Sequence, residues 1–187
     1  MKKITLVIAL IGILLSCKAQ VIPVQNSINY LINDTNIPDG TYLKDVDNLF
    51  DKFIGTWTGT INNKNYEFVI TKITTEYIGI STDKLLLKYR ITDLMDNVLV
   101  ETINLSNDSE YVIKGIHFLE NGETYQLIYG GYEVLCGQSG DVFIAVINNN
   151  SQLNFILYPD GEIEPSSCPN GQVDQILPTE LITLDKQ

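Results

Sequence analysis

The chain has 187 residues, 44% hydrophobic and 19% charged, with a formal net charge of −11. That length holds one ordinary domain with a real core. The acidic balance excludes a nucleic-acid binder, which needs clustered Lys and Arg, and argues against broad contact with anionic lipid headgroups; its plainest consequence is solubility.

The first element is MKKITLVIALIGILLSCKAQ. Lys2 and Lys3 precede an apolar run, Ile4 to Leu15, too short to span a bilayer and suited to a secretory signal. Leu14-Leu15-Ser16-Cys17 resembles the bacterial lipobox. The resemblance implies cleavage after residue 16, a mature N-terminus at Cys17 and acyl chains on that cysteine. Two or three such chains hold a domain stably at a membrane, since each buried methylene contributes about 0.8 kcal/mol. Lys18 stands where an aspartate signals inner-membrane retention in well-studied bacteria, and no acidic run follows. The expected address is therefore the outer membrane, facing the periplasm. No later segment is long and apolar enough to span as a helix.

Residues 17–39, with Pro23, Pro38 and scattered Asn, read as the lipidated cysteine and a polar tether, leaving 40–187 as a single β domain. In DVDNLFDKF, Asp45 is a candidate N-cap. Val46, Leu49, Phe50 and Phe53 recur at helical spacing, so the pattern predicts a short helix ending at Gly55. Beyond it the period falls to two. Segment 64–72 alternates Tyr66, Phe68 and Ile70 with polar residues. Segment 84–92 sets Leu85, Leu87, Tyr89 and Ile91 against Lys84, Lys88 and Arg90. Further strands are expected at 98–105, 111–118, 124–130, 141–147, 152–158 and 179–184. Asn62-Asn63, Asp96-Asn97, Asn121-Gly122, Asn148 to Ser151 and Asp160-Gly161 supply turn chemistry between them.

Short strands joined by tight turns predict an all-β fold in an antiparallel meander. About eight or nine strands hide their edges by curling into an up-and-down barrel; a β-sandwich is the alternative. KFIGTWTGT, Lys52 to Thr60, holds the only tryptophan, Trp57. A short helix followed by Gly-x-Trp resembles the first conserved region of lipocalins. That resemblance implies that Phe53, Gly55 and Trp57 close one end of the barrel. The other lipocalin signatures, a TDY-like motif and a late basic residue over the tryptophan, are not evident. The whole chain also resembles a family of short, uncharacterised lipoproteins of Bacteroidota. The matching stretches are Ser16 to Gln20, Lys44-Asp45, Lys52 to Trp57 and the tail Leu181 to Gln187. This second resemblance carries no activity.

In an oxidising compartment the two remaining cysteines, Cys136 and Cys168, read as one disulfide. They do not read as a zinc site, because there is no CxxC and the single histidine is remote in sequence. His117, expected on the face shared with Tyr111 and Ile113, reads as structural. CGQSGD around Ser139 is no nucleophile elbow. Asp160, Glu162 and Glu164 read as a solvated hairpin rim, without calcium-loop spacing. Lys84, Lys88 and Arg90 read as the solvent face of a strand.

No catalytic residue, metal ligand or cofactor site is expected, and enzyme activity is disfavoured. Tyr66, Phe68, Leu87, Tyr89, Tyr125 and Tyr129 fall on the expected inner faces, where they line a cavity for a small apolar or amphipathic ligand. The other reading is an interaction lipoprotein with a filled interior that docks on an envelope partner.

Overall fold

A computed structural model describes residues 20–187. The expected signal peptide and Cys17 lie outside the described residues. From Gly55 onward the alternation becomes strands: β3 (Gly55–Ile61), β4 (Lys64–Tyr77), β5 (Ile80–Asp93), β6 (Val98–Glu101), β7 (Ile113–Phe118), β8 (Thr124–Gly130), β9 (Ser139–Ile147), β10 (Gln152–Pro159) and β11 (Ile182–Lys186). Two short strands precede them, β1 (Gln20–Pro23) and β2 (Thr41–Lys44), with a 3-10 turn at Val24–Asn26 and one helix, α1 (Ser27–Ile32), between.

Eight of these strands close a ring in the order β3, β4, β5, β7, β8, β9, β10, β11 and back to β3. Every pair in the ring is antiparallel. The last seams are Lys186 opposite Trp57 and Leu87 opposite Ile113. Closure removes the sheet edges that an open meander would expose, and the fold is an antiparallel barrel rather than a sandwich. The outer edge of the 14-residue β5 is shared three ways. Ser81 and Thr82 pair with β2, Leu86 and Leu87 with β7, and Arg90 to Thr92 with β6. β1 lies beyond β2, and the run β1–β2–β5 is parallel.

The inward residues of each strand form one apolar core, including Trp57, Phe68, Tyr89, Tyr125, Leu153 and Phe155. The hairpin of β4 and β5 is longer than its apolar pattern foretold. The stretch 72–77, with two threonines, keeps pairing with 80–85 after the barrel has ended.

Three expectations are corrected. The tether expected over 17–39 is structured from Gln20 onward, because β1 borrows backbone partners from β2 and buries Ile22 and Val24. The helix expected at Asp45 to Phe53 is a run of turns. Asn48 takes φ 55°, which breaks a helix, and the Asp45 carboxylate accepts the N–H groups of Leu49 (2.7 Å) and Phe50 (3.3 Å) instead. The stripe still sends Phe50 and Phe53 into the core while Val46 stays outside. Finally, His117 does not share a face with Ile113. The register slips between Gly115 and His117, and such a bulge turns the next side chains to the other face.

Candidate functional site

One barrel end is closed as the Gly-x-Trp pattern implied. Trp57 is fully buried and its indole N–H donates to the Phe53 carbonyl at 2.8 Å. Gly55 adopts φ 138°, a conformation that a side chain disfavours, and a Cβ there would meet the Lys186 side chain at 3.1 Å. Lys186 is the late basic residue missing from the sequence reading. Its ammonium lies 4.9 Å from the Trp57 ring centroid and donates to the Lys52 carbonyl at 3.4 Å. A cation over an indole face is attracted by the ring quadrupole. Phe50 completes the plug, stacked on Phe118 at 5.3 Å and edge-on to Tyr125 at 5.1 Å.

Behind this plug the residues expected to line a cavity pack on one another. Phe68 meets Phe155 at 4.7 Å, Tyr66 meets Phe68 at 6.2 Å, and Tyr125 meets Phe118 at 4.9 Å. Phe68, Leu87, Tyr89 and Tyr125 have no exposed surface, and Tyr66 and Tyr129 almost none. Gly115 is part of this fit, since a Cβ there would strike the Tyr125 hydroxyl at 2.5 Å. The hydroxyls of Tyr89, Tyr125 and Tyr129 make no well-formed hydrogen bond; those of Tyr89 and Tyr129 face each other, and that of Tyr125 faces the Leu85 backbone. Burial holds all three phenols above their ordinary pKa, Tyr129 at about 12. They remain neutral core groups.

A concave, largely apolar surface lies outside the barrel. Beyond the plugged end, the β4–β5 extension, β2, α1 and β7 enclose a groove of about 690 Å³. Tyr30, Leu31, Leu43, Tyr77, Ile80 and Ile116 form its apolar walls; Lys84, His117 and Asp39 are among its polar lining. The β7 bulge delivers both Ile116 and His117 to it. Burial holds His117 below the ordinary imidazole value, against the pull of the Asp141 carboxylate. Burial likewise lowers the Lys84 ammonium. Lys84 makes no ion pair among the described residues.

A polar buckle holds the groove in shape. The Asp83 carboxylate accepts from the Tyr42 hydroxyl (2.8 Å), the Thr74 hydroxyl (2.7 Å) and the Asp45 backbone N–H (3.0 Å). The Lys72 ammonium pairs with Asp45 at 3.3 Å. β2, β4, β5 and the turn run are thus tied at one point. Sequence reasoning missed Asp83, Ile80 and Tyr77. The only available signal was an aspartate, Asp83, standing in phase with the apolar face of Leu85, Leu87 and Tyr89.

The remaining candidates stay apart. The expected basic stripe is divided: Arg90 is neutralised by Glu67 (3.2 Å) and Glu101 (2.9 Å), Lys88 donates to the Leu105 carbonyl, and only Lys84 reaches the groove. A second, more polar cleft of about 590 Å³ surrounds that Arg90 cluster. Ser139, the first residue of β9, donates to Asp160 at 3.3 Å, and Glu162 and Glu164 are exposed. Cys136 and Cys168 form a disulfide with Cα atoms 5.4 Å apart. Among the described residues, no three His, Cys, Asp or Glu side chains are placed to hold a metal ion.

Comparison with curated proteins and with solved structures found no match. A family model does match, over residues 1–125, about two-thirds of the chain. It spans the signal-like start, the plugged barrel end and most of the groove wall, and by it the chain belongs to a family of unknown function, DUF6705.

Proposed function

We propose that this protein is a lipid-anchored envelope protein of the Bacteroidota lipoprotein type, attached through Cys17 to the outer membrane on its periplasmic side. Its lipocalin-like barrel serves as a rigid scaffold, and the outer groove takes a small amphipathic ligand. One observation carries the reading: apolar walls converge on Lys84, a half-buried cation with no carboxylate partner among the described residues. A groove of this size, with apolar walls interleaved with polar groups, suits an amphipathic ligand of modest size. An acyl chain would lie along Tyr30, Leu43, Ile80 and Ile116, and an anionic head would meet the ammonium. A charge-assisted hydrogen bond of this kind contributes about 1.5–3 kcal/mol.

The test is titration with a fluorescent fatty acid and displacement by unlabelled acid. Saturable binding is expected, weakened at least about tenfold by Lys84→Met. Binding of the matching fatty alcohol should change little. Absence of saturable binding in the folded wild-type protein would refute the ligand reading. The filled barrel supports a second reading, docking on an envelope protein. Native mass spectrometry of envelope-extracted protein separates the two: a bound small molecule favours the groove, a co-purified protein with an empty groove favours docking.

A further inference from the structure

The β4–β5 hairpin turns through Ile78 and Gly79, at φ 47° and 73°. Among the described residues every other non-glycine residue at positive φ is Asn or Asp. Those side chains tolerate the left-handed region, whereas a β-branched residue is strained there. Ile78 gains no burial in return, for it is 73% exposed, and its neighbour Tyr77 is 77% exposed. Turn chemistry would select Asn here, as it does at Asn62-Asn63 and Asn148 to Asn150. Two large apolar side chains at a strained, solvent-facing tip point to a contact outside the chain.

The position of the N-terminal segment identifies that contact. β1, β2 and β5 run parallel, with Gln20 beside Thr41 and Tyr42 beside Ser81. The Gly40 N–H donates to the Gly79 carbonyl at 3.1 Å. Gln20 therefore lies two strand spacings, about 10 Å, from the root of the tip. Chain preceding it is attached at the same end as Tyr77 and Ile78. Cys17 comes only three residues earlier, a reach of about 11 Å at full extension. Leu31 of α1, 67% exposed, shares the groove rim with Tyr77.

We infer that Tyr77 and Ile78, flanked by Leu31, form a membrane-seating surface that dips into the interface of the bilayer holding the anchor. The inference rests on the anchor at Cys17. An aromatic ring at the headgroup level and an isoleucine below it suit that interface. An acidic protein with an apolar tip seats by burial, not by attraction to anionic lipid. The domain then sits directly on the membrane, and the groove opens where amphipathic molecules concentrate.

The test uses the full lipidated chain in phosphatidylcholine vesicles whose acyl chains carry bromine, a contact quencher of indole. The core position of Trp57 makes its emission a constant background. The added emission of Tyr77→Trp should be largely quenched. That of Met95→Trp, exposed in the turn after β5 at the opposite barrel end, should not. Equal quenching of the two, or none at Tyr77→Trp, would overturn the inference. A second variant guards against misfolding: Ile78→Asn should raise Tm by relieving the turn, yet reduce the quenching of Tyr77→Trp. Unreduced quenching counts against seating. The anchor is checked separately by intact mass. A mass lacking acyl additions removes the anchor and the seating with it; a lipidated mass with an unquenched tip removes the seating alone.

Discussion

At the scale of single residues, buried polar groups divide into those that are satisfied and those that are not. Asp83 is satisfied. Burial acts to raise its pKa, but the Asp45 N–H, the Thr74 and Tyr42 hydroxyls and the Lys72 charge outweigh it, and the net shift is downward. A carboxyl whose folded pKa lies below its unfolded value binds fewer protons in the native state. Its stabilisation is complete at neutral pH and is lost as pH falls from the usual carboxylate range through the folded value. Asp93 and Glu101 are also shifted down, by Asn97 and Arg90 respectively, but their exposure to solvent weakens that contribution. Asp83→Asn should therefore cost about 1–3 kcal/mol at pH 7 and flatten the acid limb of a stability–pH curve. Urea melts between pH 7 and 3 measure both; an unchanged acid limb would contradict this assignment. The Tyr89 hydroxyl, in contrast, is buried and makes no well-formed hydrogen bond, with only the Tyr129 hydroxyl facing it. Tyr89→Phe keeps the ring and removes the unsatisfied group, so the urea midpoint should rise, by about 1 kcal/mol of stability.

At the scale of elements, the β4–β5 hairpin does two jobs. Its first half closes the barrel between β3 and β7; its second half projects past the plugged end and builds the groove with α1 and β2. The long connection after β10 has little regular structure, and the disulfide ties it to the connection between β8 and β9. The Leu135 carbonyl accepts the Glu164 N–H (2.9 Å), and the Cys136 carbonyl accepts the Val173 N–H (3.1 Å). These ties hold Leu177 against the core at the barrel end away from Trp57. Replacing both cysteines by Ala should cost about 3–4 kcal/mol in the chain-entropy account. The loss should fall first on 160–178, so hydrogen exchange there should rise well before that of β4 or β5. Uniform acceleration across the barrel would show instead that the bridge acts through global stability alone.

At the scale of the whole molecule, strand periodicity was legible because one face of each strand must be buried. Tyr66, Phe68, Leu87, Tyr89, Tyr125 and Tyr129 announced the inner face by a period of two, and all six lie inside. The turns at Asn62, Gly122 and Asn148 were legible because few residues accept positive φ. Glycines beside a lone tryptophan marked the plugged end for a comparable reason. Whether the inner face encloses space or fills it is not a local property. It depends on how rings from six strands and the turn run interlock, and only the closed barrel decides that Phe68 and Phe155 occupy the middle behind the Phe50 plug. The helix expected at Asp45 failed for the same reason: a distant carboxylate on Asp83 and a lysine on β4 hold the backbone in turns. The groove lay beyond sequence reasoning altogether. Its walls come from positions as far apart as Tyr30 and His117, which no spacing rule connects. Periodicity and turn chemistry act between near neighbours, and so they wrote the strands into the chain; a site assembled across five elements exists only once those strands have closed.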